Sequence, residues 1–296
     1  MSAKFYLTPT SVEECLGYLT EFDGKGLLMA GGTDLVFKLQ SGKEQAEALI
    51  DTQGIEGFDQ LVFNDREVVI AAGVTHGQVA ADKRLIERLP AIAQACLSVG
   101  SPQIRNVATL AGNVVSAQPA ADSAIALVAL GAEAEIVSAA GSKKLRVEDL
   151  YSGLGKSVID PTQEVIFAFY LQSPQPGQGN AYDRISPRNA LCLPLVNAGV
   201  WLDSEAGRIT AARVVLGPVA DRPFRAPEAE ERLVGARLDD TQAFKEAALA
   251  AARASSPRDS CLRGCTDYRK QLIKVLTARV IARAAGRAAG RAGGNV

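Results

Sequence analysis

The stretch LLMAGGTDLVFK, residues 27–38, sets a Gly31-Gly32 pair between an apolar run and the start of a helix. The run, GLLMA, reads as a short buried strand, and Thr33 stands where a side chain caps a helix running through Leu39. Such a corner needs glycine either to turn tightly or to let a ligand lie against bare backbone. A second stretch, VGSPQIRNVATLAGNVVSAQPAADSAIALVALGAEAEIVS (residues 99–138), has the same order. It turns at Gly100-Ser101-Pro102, passes a small-residue corner from Thr109 to Asn113, enters a helix at Asp122 and ends in the strand EAEIVS.

Outward from these loops, Thr10 and Glu13 form a capping box ahead of Val12, Cys15, Leu16 and Leu19, which places a helix start near residue 11. EALIDT and EVVIAAG read as strands, and DKRLIERLPAIAQACLSV as helix broken at Pro90. EVIFAFYL (residues 164–171) closes this half, and the Pro- and Gly-rich QSPQPGQGN reads as a linker. LPLVNAGVWLD and RITAARVVLGPV form a hairpin around SEAGR, followed by helices near 241–254 and 267–285. Leu272, Val275, Leu276 and Val280 give the last helix a core-facing stripe. The expected organisation is a first domain over 1–175, with lobes of about 1–55 and 56–175, a second over 180–286, and a flexible low-complexity tail over 287–296.

The 296 residues are 47% hydrophobic and 22% charged with a net charge of -1, a globular composition without the basic excess of a nucleic-acid binder. The N-terminal MSAKFYLTPTSVEEC has no secretory pattern, and no apolar run approaches the roughly 20 residues of a membrane helix, so a cytoplasmic protein is expected. Five scattered cysteines (Cys15, Cys96, Cys192, Cys261, Cys265) include no CxxC pair, which argues against disulfides and against a zinc or iron–sulfur site held by this chain alone. Its one histidine, His76, makes His-based hydrolysis improbable and reads best as lining the start of the next helix. SGLGKS fails as a phosphate loop because Leu150 stands where that motif needs glycine, and no GxGxxG follows a strand. Two small-residue loops remain, able to hold a pyrophosphate through backbone amides.

AGGTDL, then GSPQIRNVATLAGN with PAADS behind it, closely resembles the FAD-binding subunits of the molybdenum hydroxylases, the xanthine dehydrogenase family. The similarity is strongest to separate flavin subunits of bacterial xanthine and nicotinate dehydrogenases, and CTDYRKQLIKVLTARVIARA extends it to the C-terminal helix. The resemblance implies an α+β fold: a vanillyl-alcohol-oxidase-type (PCMH-like) FAD-binding domain of two lobes, then a C-terminal α/β domain with a three-stranded antiparallel sheet and helices. It places Leu28, Met29, Ala30, Gly31, Gly32, Thr33, Asp34 and Leu35 around the pyrophosphate, with Gly31, Gly32 and Thr33 supplying amides and a hydroxyl. Thr109, Leu110, Ala111, Gly112 and Asn113 become the second phosphate loop. Asp122 would accept from the ribityl or adenosine portion, Ile166 would meet the flavin through its backbone, and Val99 would stand where the family often packs the ring. On the residues alone, Asp122 serves equally as a helix cap, Asp34 as a second cap, and Arg105 and Asn106 as braces.

In AYDRISPRN, Tyr182 and Arg188 match the family, but Asp183 stands at a lysine position that the resemblance puts near the flavin. An anion there lowers the flavin potential unless Arg184 turns inward, and a one-residue shift leaves Asp183 in solvent instead. The implied activity is electron transfer by one non-covalent FAD, from a small [2Fe-2S] subunit to NAD+ or another acceptor. A large molybdopterin subunit hydroxylates the substrate, in an αβγ or (αβγ)2 assembly, and this chain supplies no catalytic side chain and no metal ligand. AGGTDL looks closer to the purine (xanthine, hypoxanthine) and nicotinate branch than to the carbon monoxide branch. The rivals are a stand-alone flavin oxidase, whose usual His or Cys attachment is missing from both loops, and an assembly subunit without FAD, against which the intact glycines count.

Overall fold

The computed structural model describes residues 3–290. The first lobe contains β1 (Phe5–Leu7), α1 (Val12–Glu21), β2 (Gly26–Met29), α2 (Leu35–Gln40) and β3 (Ala48–Asp51), with the strands parallel in the order β1-β3-β2. Alternation along β3 divides its faces: Ile50 joins the main core with Cys15 and Leu19 of α1, while Leu49 packs with Leu39, Met29 and Leu35 on the α2 side. The N-cap of α1 lies one residue later than the sequence suggested, and the capping box is not closed. Ser11 is the N-cap and accepts from Glu14 N at 3.1 Å, while the Glu14 carboxylate accepts from Thr10 N at 2.7 Å.

The second lobe contains β4 (Leu61–Phe63), β5 (Glu67–Ala71), α3 (His76–Ala81), α4 (Lys83–Arg88), α5 (Pro90–Leu97), α6 (Pro102–Arg105), α7 (Leu110–Val115), α8 (Asp122–Leu130), β6 (Glu133–Ser138), β7 (Gly141–Arg146), β8 (Tyr151–Gly153), β9 (Lys156–Ser157) and β10 (Glu164–Gln172). An antiparallel sheet of order β4-β5-β10-β6-β7 forms its base. Pro90 opens α5 at its first position, where the missing N–H costs nothing. Every residue of α8 is buried, as an all-round apolar helix must be, because it lies between this lobe and the next domain.

The C-terminal domain contains β11 (Gly179–Ile185), β12 (Val196–Glu205), β13 (Arg208–Gly217), β14 (Phe224–Arg225), α9 (Pro227–Leu233), α10 (Thr241–Ala254) and α11 (Thr266–Ala288). The sheet runs β11-β12-β13-β14, so the three expected strands are joined by a two-residue fourth. One face packs on the C-terminal helices through Ala181, Ala198 and Val200, and the other meets α8. Gly199 permits that second contact, since a Cβ there would sit 3.0 Å from Ala129 Cβ and 3.1 Å from Ile125 O. The expected flexible tail is corrected at its start: α11 runs through Ala288, and Arg287 Nη1 donates to Asn180 O at 2.7 Å. Residues 291–296 of that tail lie outside the described residues. No helix among the described residues is long and apolar enough to cross a membrane.

Candidate functional site

The first loop joins β2 to α2. Among the described residues, the amides of Ala30, Gly31, Gly32, Thr33 and Asp34 donate no hydrogen bond. The carbonyls beside them are engaged, Met29 O by Thr52 Oγ1 at 3.5 Å and Ala30 O by Gln53 Nε2 at 3.1 Å, so the turn is held while its donors stay free. Gly32 supplies the left-handed turn at φ +67°. Gly31 is required for a reason the sequence did not show: a Cβ would lie 2.0 Å from Val107 O, so its bareness admits the second loop's own backbone. The expected Thr33 cap is also corrected. Asp34 occupies the N-cap position, no side chain caps α2, and Thr33 remains exposed. Leu28, Met29 and Leu35 support the loop from below as partly buried core residues.

The second loop is tied to residues 74–76. Leu110 N donates to Val74 O at 3.1 Å, and His76 N to Ala108 O at 2.9 Å. The Thr109 hydroxyl accepts from Gly112 N at 3.1 Å as the cap of α7, while the Ala111 amide has no partner among the described residues. Thr109, Leu110 and Ala111 are buried, so these three frame the loop, whereas Asn113 reaches the cleft described below and accepts from Ser123 Oγ at 2.6 Å. His76 opens α3 as expected, fully buried, with Nδ1 3.4 Å from Cys96 Sγ. Burial and then the Arg105 charge lower its pKa to about 4, which keeps it neutral. Arg105 braces the loop as read, donating to Val99 O at 2.9 Å.

A cleft of about 770 Å³ lies where the three folded parts meet. It gathers Asp34, Val99, Asn113 and Asp122 of the expected set, with Arg184 and Leu193 from the C-terminal domain. Asp122 is not the N-cap of α8, a place held by Ala121. Its carboxylate instead accepts from Tyr182 O–H, from Asn197 Nδ2 at 2.9 Å and from Arg184 Nη1 at 2.8 Å. Burial raises the Asp122 pKa, and Arg184, Tyr182 and Asn197 oppose that rise.

Two expected contacts fall elsewhere. Ile166 is 3% exposed, paired with Ile136 in the five-stranded sheet, and does not line the cleft. Asp183 points to the other face of β11, where Arg283 Nη1 bonds it at 2.9 Å and Arg279 lies at 3.6 Å. The period of two along β11 sends Tyr182 and Arg184 toward α8 and the residue between them away. Gly100 opens the recognised stretch GSPQIRNVATLAGN and Ser116 lies three residues beyond its end, whereas Arg258, Arg263 and Arg269 carried no local sign of lining the cleft.

Residues 1–172 match the model described as the FAD binding domain in molybdopterin dehydrogenase, and residues 181–284 match the CO dehydrogenase flavoprotein C-terminal domain. The chain therefore belongs to the FAD-binding subunits of the molybdenum hydroxylase family. It is 29% identical to the carbon monoxide dehydrogenase medium chain of Afipia carboxidovorans, covering 93% of this chain and 94% of that one. It is 28% identical to the xanthine dehydrogenase FAD-binding subunit of Escherichia coli O157:H7, over 86% of this chain and 87% of that one. With the nicotinate dehydrogenase FAD-subunit of Eubacterium barkeri it shares 27% identity, over 79% and 80%. Among solved structures it resembles the reconstituted CO dehydrogenase from Oligotropha carboxidovorans, with TM-score 0.89 and 28% identity over 97% of this chain and 99% of that chain. The free amides from Ala30 to Asp34 suit the anionic part of FAD, and Val99 and Leu193 give the cleft apolar wall. FAD, when bound, supplies the electron-transfer chemistry, and the chain's residues hold and orient it.

Proposed function

We propose that the chain is the electron-transfer subunit of a molybdenum-containing hydroxylase, holding one non-covalent FAD that receives electrons from a [2Fe-2S] subunit and passes them to NAD+ or another acceptor. The observation that carries this reading is the run of unpartnered amides, Ala30 to Asp34, whose last residue lines the cleft shared by the three parts of the chain. Leu28 to Leu35 and Thr109 to Asn113 form the cofactor cradle, Asp122 receives the ribityl or adenosine portion, and Val99 packs against the ring. The molybdenum and iron–sulfur centres belong to partner subunits, a reading that rests on the match to the FAD binding domain in molybdopterin dehydrogenase. A large molybdopterin subunit, a small two-cluster subunit and a cytoplasmic location complete the proposal. A purine is the first choice of substrate for the complex, although relatives named for carbon monoxide, xanthine and nicotinate lie between 27% and 29% identity.

Affinity purification of the tagged chain from its own cells tests the assembly. It should recover both partner subunits and xanthine-dependent dye reduction, while the chain expressed alone reduces dyes with NADH but hydroxylates no purine. Purine turnover by the isolated chain would end the proposal.

A further inference from the structure

Besides Arg184, which pairs with Asp122, three arginines of the C-terminal domain line the cleft: Arg258, Arg263 and Arg269. Arg269 is 2% exposed and ties three segments together, donating Nε to Leu195 O at 3.2 Å, Nη1 to Arg258 O at 2.9 Å and Nη2 to Pro218 O at 2.5 Å. These partners are neutral carbonyls, so its charge is uncompensated. Arg258 and Arg263 have no hydrogen-bond or ion-pair partner for their guanidinium groups among the described residues. Burial and then repulsion hold two of them below the usual arginine range, Arg263 through the Arg258 charge and Arg269 through the charges of Arg263 and Arg258.

The carboxylates lining the same cleft do not neutralise this group. Asp122 pairs with Arg184 at 2.8 Å and Asp221 lies 3.6 Å from Arg222, while Asp259 keeps its charge beside the neutral Thr266 N at 2.5 Å but forms no ion pair with any of the three arginines. Asp34 belongs to the first loop. Converging guanidinium groups that lack a protein anion are electrostatically unfavourable until a ligand supplies one, and their planar forks match phosphoryl oxygens.

We propose that Arg258 and Arg263, positioned by Arg269, form an anion subsite for a phosphoryl group, in addition to the amides of Ala30–Asp34. The inference rests on the cleft being the FAD site. The phosphoryl group has two sources, FAD itself or a second phosphorylated molecule that enters the cleft beside it, and one experiment separates them. The full chain freed of flavin is titrated with FAD, and the flavin-loaded chain with inorganic pyrophosphate, each as wild type and as R258A/R263A. Neither side chain makes a contact whose loss should unfold the protein, so wild-type thermal unfolding of the variant is the control for folding.

An FAD affinity at least ten-fold weaker in the variant supports the cofactor as the source. Unchanged FAD affinity, with pyrophosphate binding seen in wild type and lost in the variant, supports a second ligand. In either case R258K/R263K should recover part of the affinity, and added salt should weaken it. If FAD affinity is unchanged and pyrophosphate binds both proteins equally or neither, the subsite is overturned. Failure of wild type to bind FAD overturns the cofactor reading instead, and pyrophosphate titration of the flavin-free pair then judges the subsite by itself.

Discussion

Asp122 and Arg184 are both nearly buried, with side-chain exposures of 7% and 10%, and they join α8 to the C-terminal domain through a single ion pair. Removing one member of such a pair leaves the other charge unmatched in a poorly solvated site. Arg184→Met should lower unfolding stability by about 3 kcal/mol, and adding Asp122→Asn should restore part of it; urea titrations of the three variants measure this. His76 gives a pH signature because no other histidine is present. Its pKa is lowered from 6.5 to about 4, so the unfolded chain takes up the proton first. Stability is therefore complete above pH 6.5, falls as pH drops toward 4, and levels off below that, by about 3 kcal/mol in all. Replacing His76 with Gln should remove this component from the pH dependence of chemical unfolding. At this scale the sequence revealed Asp122 but not its partners, since Tyr182, Arg184 and Asn197 lie 60, 62 and 75 positions away. Nothing local encodes such a meeting.

At the scale of elements, strands and helices were legible because periodicity and turn residues declare them, while caps and strand phase were not. The α1 cap moved by one residue, and one residue of phase on β11 decided that Arg184 and not Asp183 lines the cleft. Asp183 is bound by Arg279 and Arg283 on α11, so Asp183→Lys should leave the flavin potential unchanged in a redox titration. It should cost about 1 kcal/mol or more of stability by placing three cations together on a partly exposed face. The loops give a matched pair of substitutions. Gly31→Ala would put a Cβ 2.0 Å from Val107 O, backbone that cannot swing aside, whereas at Gly112 the nearest atom is Thr109 Oγ1 at 3.1 Å. Gly31→Ala should therefore lose flavin and about 2 kcal/mol or more of stability, and Gly112→Ala much less of both, as read by flavin absorbance and thermal unfolding.

For the whole molecule, one family match ends at residue 172, the last of β10, and the other begins at residue 181, within β11. What composition could not show is that the domains share α8 and that their junction is the cleft, because burial on both sides of a helix follows from tertiary packing alone. Among the described residues Cys192 is the only cysteine lining that cleft, on a segment outside both loops, so covalent attachment of the flavin has one candidate there. The decisive measurement is acid precipitation of the purified chain, made with flavin in excess, followed by identification and counting of the flavin in supernatant and pellet. One FAD per chain should appear in the supernatant. Yellow colour retained by the pellet, or wild-type protein that carries no flavin, would contradict a non-covalent FAD held between these loops.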